Sequence, residues 1–236
     1  MSTIEAAQYL ESAGSKTPQE LIAWAVGEFG PENIVQATSL GAEDQVITDM
    51  LVKNGAPVDI FTLDTGRLPQ ETYAVLEETR ERYGRNIGIV FPDAGAVESM
   101  VNKGGPNLFY KSTENRKLCC QIRKVEPLKK KLAGIRAWIC GLRRDQSPTR
   151  TGLQAVEWDA QFSVFKISPI ADWNESRVWE YIHQNGVPFN ILHGQGYPSI
   201  GCACCTRAVQ PGEDARAGRW WWEAPEHKEC GLHPGK

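Results

Sequence analysis

Short apolar runs and helix-spaced apolar residues alternate along this chain. The apolar runs predict five strands, at residues 33–38, 57–63, 86–91, 135–140 and 163–167. Apolar residues at helical spacing predict helices at residues 4–11, 17–29, 69–83, 114–132 and 174–186, and one more that follows a turn at 39–44 and runs through 51. Strands that alternate with helices predict an α/β protein with a mainly parallel sheet and helices on both faces.

Two of the predicted helices carry clear end signals. Thr17 and Glu20 flank Pro18 in the pattern of a capping box with proline at the first helical position. Asn174 has the character of an N-cap and Gly186 that of a C-cap for the last predicted helix. The sequence therefore predicts both ends of the last helix and the start of the 17–29 helix.

The composition is that of a globular protein with its own apolar core. The 236 residues are 41% hydrophobic and 23% charged, and the net charge is −3 at pH 7. This balance argues against a general nucleic-acid or membrane-surface binder, and no run of about 18 apolar residues predicts a membrane span. Glu5 and Glu11, with no early Lys or Arg, are atypical of a secretory signal, so we expect a cytoplasmic protein.

Two turns that follow predicted strands have the character of ligand-binding turns. Ser39 and Gly41 offer a hydroxyl and a close backbone approach at a helix start, which favours anions, and Asp44 beside them suits a compact anion. Asp64 and Gly66 follow the next strand, where a carboxylate binds a ribose or a base edge. Because ligands of parallel sheets lie beyond the carboxyl ends of strands, both turns are candidate site elements; ordinary capped turns are the alternative.

A third strand-end loop is rich in arginine. Arg143, Arg144 and Arg150 lie within eight residues, just after the strand predicted at 135–140. Guanidinium groups bind sulfate and phosphate in a fork geometry, so the loop resembles an oxyanion clamp. A solvated charged loop is the alternative.

The seven cysteines are unevenly placed. Two pairs stand about eighty residues apart, Cys119 with Cys120 and Cys202 with Cys205, and Cys204 lies inside the second pair. Adjacent cysteine side chains diverge and suit a single zinc ion poorly, whereas an iron–sulfur cluster offers each thiolate its own iron. A zinc site and a redox disulfide remain open alternatives. Lys124, one turn after Cys120, is expected on the side of the cluster; Cys204 is expected to be a bystander and Cys140 a core residue.

The composition changes near residue 209. From there to 236 the chain is rich in Gly, Pro, Arg and Glu without strand periodicity, so we expect one α/β domain over 1–208 and a C-terminal tail over 209–236. Three consecutive tryptophans after Arg219 are expected to fasten the tail to the body. Cys230, which follows Lys228, would then sit on a movable arm as a reactive thiolate.

Taken in this order, these elements resemble the assimilatory adenylyl-sulfate reductases of the phosphoadenylyl-sulfate reductase family. The 39–44 turn looks like the family's phosphate-binding turn, 63–67 its second motif and 143–147 its arginine loop. Residues 228–233 resemble the C-terminal catalytic signature, and the four paired cysteines match the cluster-bearing branch. Cys204 departs from the family pattern and leaves the ligand open between Cys204 and Cys205.

The resemblance implies an adenine nucleotide alpha hydrolase-like fold and reduction of adenylyl sulfate to sulfite and AMP. It implies a [4Fe-4S] cluster on Cys119, Cys120, Cys202 and Cys205, with Cys230 as the nucleophile that forms an S-sulfocysteine. Nucleotide-binding residues by resemblance are Ser39, Gly41, Leu63, Asp64 and Gly66; residues that neutralise the phosphosulfate are Lys124, Arg143, Arg216, Arg219 and His233.

The partners expected by resemblance are thioredoxin, or a glutaredoxin-like reductant, and the small-molecule substrate. We also expect a homo-oligomer that binds neither nucleic acid nor membrane. Two other functions remain open on the residues alone. One is an ATP pyrophosphatase-type adenylating enzyme of the same broad fold, and the other is a non-catalytic iron–sulfur nucleotide sensor.

Overall fold

The computed structural model describes residues 16–147, 150–224 and 231–232, with residues 9, 11, 12 and 14 before them. The helix predicted at 4–11 therefore lies almost wholly outside the described residues. The chain divides into two compact units. The first comprises Met1–Thr62, Ala74–Gly88 and Leu132–Asn190, and the second comprises Leu63–Tyr73, Ile89–Lys131 and Ile191–Lys236.

A six-stranded, mainly parallel sheet forms the frame of the first unit. The strands are β1 Ile34–Thr38, β2 Asp59–Leu63, β3 Ile87–Val90, β4 Ala137–Ile139, β5 Val156–Asp159 and β6 Val164–Ile167. Their order in the sheet is β3-β2-β1-β4-β6-β5. β1 pairs in parallel with β2 and β4, β4 pairs in parallel with β6, and β5 is antiparallel to β6. The predicted α/β class is confirmed.

The α-helices follow the strands in the expected alternation. They are α1 Pro18–Phe29, α2 Ala42–Lys53, α3 Gln70–Tyr83, α4 Ala94–Gly104, α5 Thr113–Cys120, α6 Glu126–Leu132 and α7 Glu175–Asn185. None of the helices in the described part of the chain is both long and apolar enough to cross a membrane.

The central strands β4 and β6 are buried on both faces, as expected for a sheet between helices. Every residue of β4 and β6 is buried, although neighbouring side chains of a strand point to opposite faces. One apolar cluster joins residues of α1, α2 and α7 to the strands, and a smaller one joins Val75 and Leu76 of α3 to Ile60 and Ile87. Burial of these side chains drives the folding of this unit.

The predicted helix ends are found where the sequence signals them. Thr17 and Glu20 form the capping box that begins α1. The Asn174 side chain accepts a hydrogen bond from the Arg177 amide at the start of α7, and Gly186 ends that helix in the left-handed conformation, at φ 58°. These signals are local, so the sequence alone carries them.

Two elements were missed. α4 contains two glycines, Gly95 and Gly104, and is begun by Asp93, whose side chain accepts from the Ala96 amide at 2.8 Å. β5 is a four-residue edge strand whose register is set by its antiparallel pairing with β6. Glycine content hid the helical pattern of α4, and β5 is too short to show an alternating pattern of its own.

The long helix predicted at 114–132 is continuous but changes its winding. A π-helical segment, Gln121–Val125, joins α5 to α6. Pro127 lies one residue into α6 and has no N–H to give to the carbonyl of Arg123, so the α-helical hydrogen-bond pattern is interrupted there. Lys124 is therefore carried on a wider turn than an α-helix would provide.

Candidate functional site

In the first unit, Asp44 organises the turn that follows β1. Its Oδ2 accepts hydrogen bonds from the Ser39 amide at 2.7 Å and from the Ser39 hydroxyl at 2.6 Å. Gly41 is the N-cap of α2, where the first helical amides have no partner within the helix. Burial raises the pKa of the Asp44 carboxyl, and the hydrogen bonds from Ser39 oppose that rise. The predicted anion-binding turn is thus built around a carboxylate.

The turn that follows β4 packs directly against Asp44. A Cβ placed on Gly141 would lie 2.6 Å from Asp44 Oδ1 and 2.8 Å from the Asp44 amide nitrogen. The Gly141 amide donates to Asp44 Oδ1 at 2.9 Å. Only glycine fits this approach, because any side chain would collide with backbone as well as carboxylate.

Arg143, the predicted phosphosulfate ligand of this unit, is buried and paired. Its Nε and Nη2 donate to Glu43 Oε1 at 3.0 and 2.8 Å, and its Nη1 lies 3.4 Å from Asp145 Oδ2. The guanidinium thus lies beside the start of α2, which Gly41 caps. Ser39, Gly41 and Arg143 are therefore brought together in the first unit, and the role of Arg143 toward a substrate stays a prediction.

In the second unit, Asp64 shapes the turn that follows β2. Its carboxylate accepts from the Gly66 amide at 2.7 Å and from the Tyr73 hydroxyl, which lies 3.0 Å from both oxygens. Gly66 has a φ of 71°, a value that favours glycine. Leu63, the last residue of β2, is half-buried. The role of these residues toward a nucleotide also stays a prediction.

Five cysteines of the second unit line a single cavity. They are Cys119, Cys120, Cys202, Cys204 and Cys205. Cys120, Cys202 and Cys205 are buried, whereas Cys119 and Cys204 are partly exposed. Residues about eighty positions apart are thus brought together at one cavity, and their role as ligands of a cluster stays a prediction. Within the described ranges, no group of three or more His, Cys, Asp or Glu side chains is placed to hold a single metal ion.

Basic side chains also line this cavity. Four cations line it with the sulfurs: Arg67, Arg116, Arg123 and Lys124. Lys124 therefore lies on the side of the cysteines, as expected. Arg123 is held by the Thr65 carbonyl, to which its Nη1 donates at 2.6 Å, and the Thr65 hydroxyl lies 3.3 Å from Cys202 Sγ. Such a cavity favours an anionic occupant over a neutral one.

Cys204 and Cys205 lie close together in this cavity, and their Sγ atoms are 3.8 Å apart. A hydrogen bond from Cys205 lowers the pKa of Cys204, and the Arg67 guanidinium lowers it further. The same hydrogen bond and burial raise the pKa of Cys205. Because Cys204 lines the cavity, its predicted role as a bystander needs a direct test.

Within the second unit, Trp220 fastens the tail to the segment that carries Cys205, as the tryptophan run predicts. Trp220 is 1% exposed, and its amide donates to the Cys205 carbonyl at 3.1 Å. Arg219 is buried, and its Nη1 donates to the Ile200 carbonyl at 3.0 Å. Neither Arg219 nor Arg216 is among the residues that line the cysteine cavity. The residues that line the cavity therefore give no information on the predicted role of Arg216 and Arg219 toward the phosphosulfate.

The catalytic signature falls mostly outside the described residues. Lys228, Cys230 and His233 are not described, whereas Gly231 and Leu232 are. The movable arm therefore stays a prediction.

Of the four cations at the cavity, sequence reasoning singled out only Lys124 and missed Arg67, Arg116 and Arg123. Arg116 is fully buried and forms a two-bond ion pair with Glu223 of the tail. Although burial opposes it, hydrogen bonds and charge attraction from Glu223 and Cys120 raise the pKa of Arg116. Arg116 precedes Cys120 by four residues, which places both on one helix face, and that spacing was the available signal.

The comparisons with known proteins agree with this architecture. The chain matches the family described as the phosphoadenosine phosphosulfate reductase domain over residues 33–208, and it belongs to that family. An adenosine 5′-phosphosulfate reductase from Allochromatium vinosum is 54% identical over 202 residues, which cover 86% of this chain and 79% of that protein. The resemblance and the expected class of oxidoreductase acting on sulfur groups are confirmed.

Solved structures support the fold. A phosphoadenylyl-sulfate reductase from Candida auris, crystallised as a phosphate complex, has a TM-score of 0.75 and 30% identity, covering 89% of this chain and 98% of that chain. An FMN adenylyltransferase from Candida glabrata has a TM-score of 0.57 at 16% identity, covering 84% of this chain and 64% of that chain. At that identity the second likeness concerns the fold alone, and the predicted adenine nucleotide alpha hydrolase-like fold is confirmed.

Proposed function

We propose that this protein reduces adenosine 5′-phosphosulfate (adenylyl sulfate, APS) to sulfite and AMP in assimilatory sulfate reduction. The family and the 54% identity to an adenosine 5′-phosphosulfate reductase support the reaction class. The observation that carries the choice of substrate is the cavity lined by the Cys119–Cys120 pair and the Cys202–Cys205 pair. By resemblance, the branch that uses the 3′-phosphorylated substrate lacks these four cysteines.

The donor set of the cavity fits a [4Fe-4S] cluster. Such clusters are held by four cysteine thiolates, and four of the five sulfurs here come from the two predicted pairs. The cluster with its thiolates is anionic, and the surrounding guanidinium and ammonium groups offset that charge. A bound cluster supplies a crosslink between the two cysteine pairs and a local electrostatic field. The electrons for the reaction come from a dithiol instead.

The chemistry begins with the thiolate of Cys230. This thiolate attacks the sulfonyl sulfur of APS, a sulfur–sulfur bond forms, the sulfur–oxygen bond to the phosphate breaks, and AMP leaves. Reduced thioredoxin, or a glutaredoxin-like protein, then attacks Cys230 Sγ and releases sulfite. Its second thiol resolves the mixed disulfide, so the dithiol supplies both electrons and Cys230 is regenerated.

Positive charge is what the first step needs most, because a thiolate must approach a dianionic substrate. Lys124 stands at the cysteine cavity and would stabilise the charge that builds on the sulfonyl and phosphate oxygens. We assign the same role to Arg143, Arg216, Arg219 and His233, and nucleotide binding to Ser39, Gly41, Leu63, Asp64 and Gly66. The enzyme would work in the cytoplasm as a homo-oligomer.

The experiment is an assay of cluster-loaded protein with APS and reduced thioredoxin. We expect sulfite release with APS and little with its 3′-phosphorylated form. Intact mass should show one added sulfonate when APS is supplied without reductant. Cys230→Ser should bind APS and remain unmodified, whereas the matched Cys140→Ser, which removes a thiol from the first unit, should react normally.

Three outcomes would contradict the proposal. They are absence of sulfite with APS, a sulfonate adduct on Cys230→Ser, and pyrophosphate release from ATP in place of APS reduction. The last would identify an adenylating enzyme, and a protein that binds nucleotide without any turnover would be a sensor.

A further inference from the structure

A buried ion pair joins the C-terminal tail to the helix that carries two of the cysteines. Arg116 Nε donates to Glu223 Oε1 at 3.0 Å, and Arg116 Nη2 donates to Glu223 Oε2 at 2.7 Å. The side chains are only 1% and 3% exposed. We propose that this pair, here called the tail latch, positions the tail so that Cys230 meets the substrate; the inference rests on the proposed function.

The same guanidinium touches the cysteine cavity as well as the tail. Arg116 lines the cavity, hydrogen-bonds the Cys120 thiol and lies over the Trp220 ring, with its Cζ 4.7 Å from the ring centroid. Trp220 in turn is bonded through its amide to the Cys205 carbonyl. One cation thus connects a cysteine of each pair to the start of the tail.

Gly231, on the other side of Cys230 in the sequence, lies close to the same helical stretch. Gly231 has a φ of 81°, and a Cβ built on it would lie 3.6 Å from Cγ2 of Val125. Val125 ends the π-helical segment that carries Lys124. Glu223 therefore contacts the helical stretch 113–125 and Gly231 lies close to it, and the seven residues 224–230 connect them in sequence.

Glu223 and Gly231 bracket Cys230 along the chain. The stretch 113–125 carries Cys119, Cys120 and Lys124, so an anchored tail keeps its reactive cysteine tethered to the segment that holds the proposed charge-stabilising lysine. Arg116 and Glu223 are positioning residues in this proposal, because they act through Cys230 and touch no reacting atom.

The physical strength of the latch comes from burial. Removing one partner of a desolvated, two-bond pair leaves a buried charge without compensation, whereas an exposed pair contributes little. Arg207 and Glu213 form an exposed counterpart in the same unit, with two bonds of 2.8 Å and side chains about one-third exposed. Glu213→Gln is therefore a matched control for Glu223→Gln.

The test uses the full, cluster-loaded chain in four forms: wild type, Glu223→Gln, Arg116→Lys and Glu213→Gln. Hydrogen exchange of the Trp220 and Glu223 amides reports the latch, and single-turnover sulfonation of Cys230 by APS reports its consequence. We expect both latch variants to exchange about tenfold faster and to be sulfonated about tenfold more slowly per loaded enzyme. APS affinity should change less than about twofold, and Glu213→Gln should match wild type.

If the Glu223→Gln protein fails to fold, Arg116→Lys still tests the latch, because lysine keeps the positive charge but loses the two paired hydrogen bonds. The proposal is overturned if a folded latch variant exchanges its amides and is sulfonated at the wild-type rates. The proposal is also overturned if a latch variant loses iron or thermal stability but is sulfonated at the wild-type rate per loaded enzyme. That result would show that the ion pair has only a structural role. If the wild-type protein is never sulfonated, the proposed function fails. The latch can still be tested in that case: a latch variant whose amides exchange at the wild-type rate overturns it.

Discussion

Asp44 Oδ1 accepts a hydrogen bond from the Gly141 amide at 2.9 Å, which joins the turn after β1 to the turn after β4. The other carboxylate oxygen holds Ser39 by its amide and its hydroxyl. Both oxygens of Asp44 are therefore acceptors for backbone amides. The two strand-end turns of the first unit are held in one arrangement by a single carboxylate.

Asp44→Asn should loosen this arrangement. An amide side chain presents one oxygen and one NH₂ group, so either Ser39 or Gly141 would face a donor. We expect a loss of about 2 kcal/mol in the free energy of unfolding and weaker nucleotide binding. Urea unfolding and calorimetric titration with AMP measure the two effects. The control is Glu28→Gln, which changes an exposed carboxylate of the same unit; equal stability of the two variants would refute the role of Asp44.

Gly141→Ala should damage the same place by steric overlap. The new Cβ would lie within 2.8 Å of the Asp44 amide nitrogen and of Glu43 Cβ, so backbone must move. A destabilisation of about 3 kcal/mol is expected, together with a loss of AMP binding. Thermal unfolding and AMP titration are the measurements. Gly152→Ala is the matched control, because nothing lies within 4 Å of its Cβ position; a Gly141→Ala protein as stable as this control would disprove the close approach.

Cys140 should make stability depend on pH in the alkaline range. Burial raises the pKa of this thiol from its usual 9.0 to about 11, while Lys166 opposes the rise. The unfolded chain therefore ionises first, and stability is lost as pH rises from about 9 to about 11, by about 3 kcal/mol in all.

Thermal unfolding at pH 8 and pH 11 measures this loss. Cys140→Ala and Cys140→Ser have no ionisable group there, so both should lose less stability than wild type over this interval. A wild-type loss equal to that of both variants would show that the thiol does not titrate as described.

The open ligand choice between Cys204 and Cys205 can be decided by paired substitutions. Cys205 is the more buried of the two, at 8% exposure, and it belongs to the predicted pair with Cys202. Cys205→Ser should therefore lose most of its cluster, whereas Cys204→Ser should retain about four irons per chain. Iron analysis and visible absorption measure this difference. The reverse pattern would assign the ligand to Cys204.

Iron removal provides a related check on the proposed cluster. Chelation of the loaded wild type should abolish the visible absorption and lower the thermal stability of the protein, because the crosslink between the two cysteine pairs is lost. Removal without any change in thermal unfolding would contradict a role of the cluster in holding the second unit together.

Several features of this protein were readable from short stretches of sequence. Thr17 and Glu20 begin α1 because a capping box needs only residues three apart, and the five predicted strands follow from contiguous apolar runs. The pattern at 114–132 predicts one uniform helix and does not predict the π-helical turn at 121–125. Its cause, Pro127, was visible, but the direction in which a helix adapts to a proline depends on what packs around it.

The class of fold and the spacing within each cysteine pair are consequences of local pattern, because apolar periodicity and residue spacing act within a few turns of the chain. Contacts between segments that are distant in sequence do not follow from local pattern. The meeting of Arg116 with Glu223, and of Asp44 with Gly141, joins residues about one hundred positions apart. Such pairs form only when the packed core brings their segments together, since the energy of a single ion pair or hydrogen bond is too small to select its partner in an open chain.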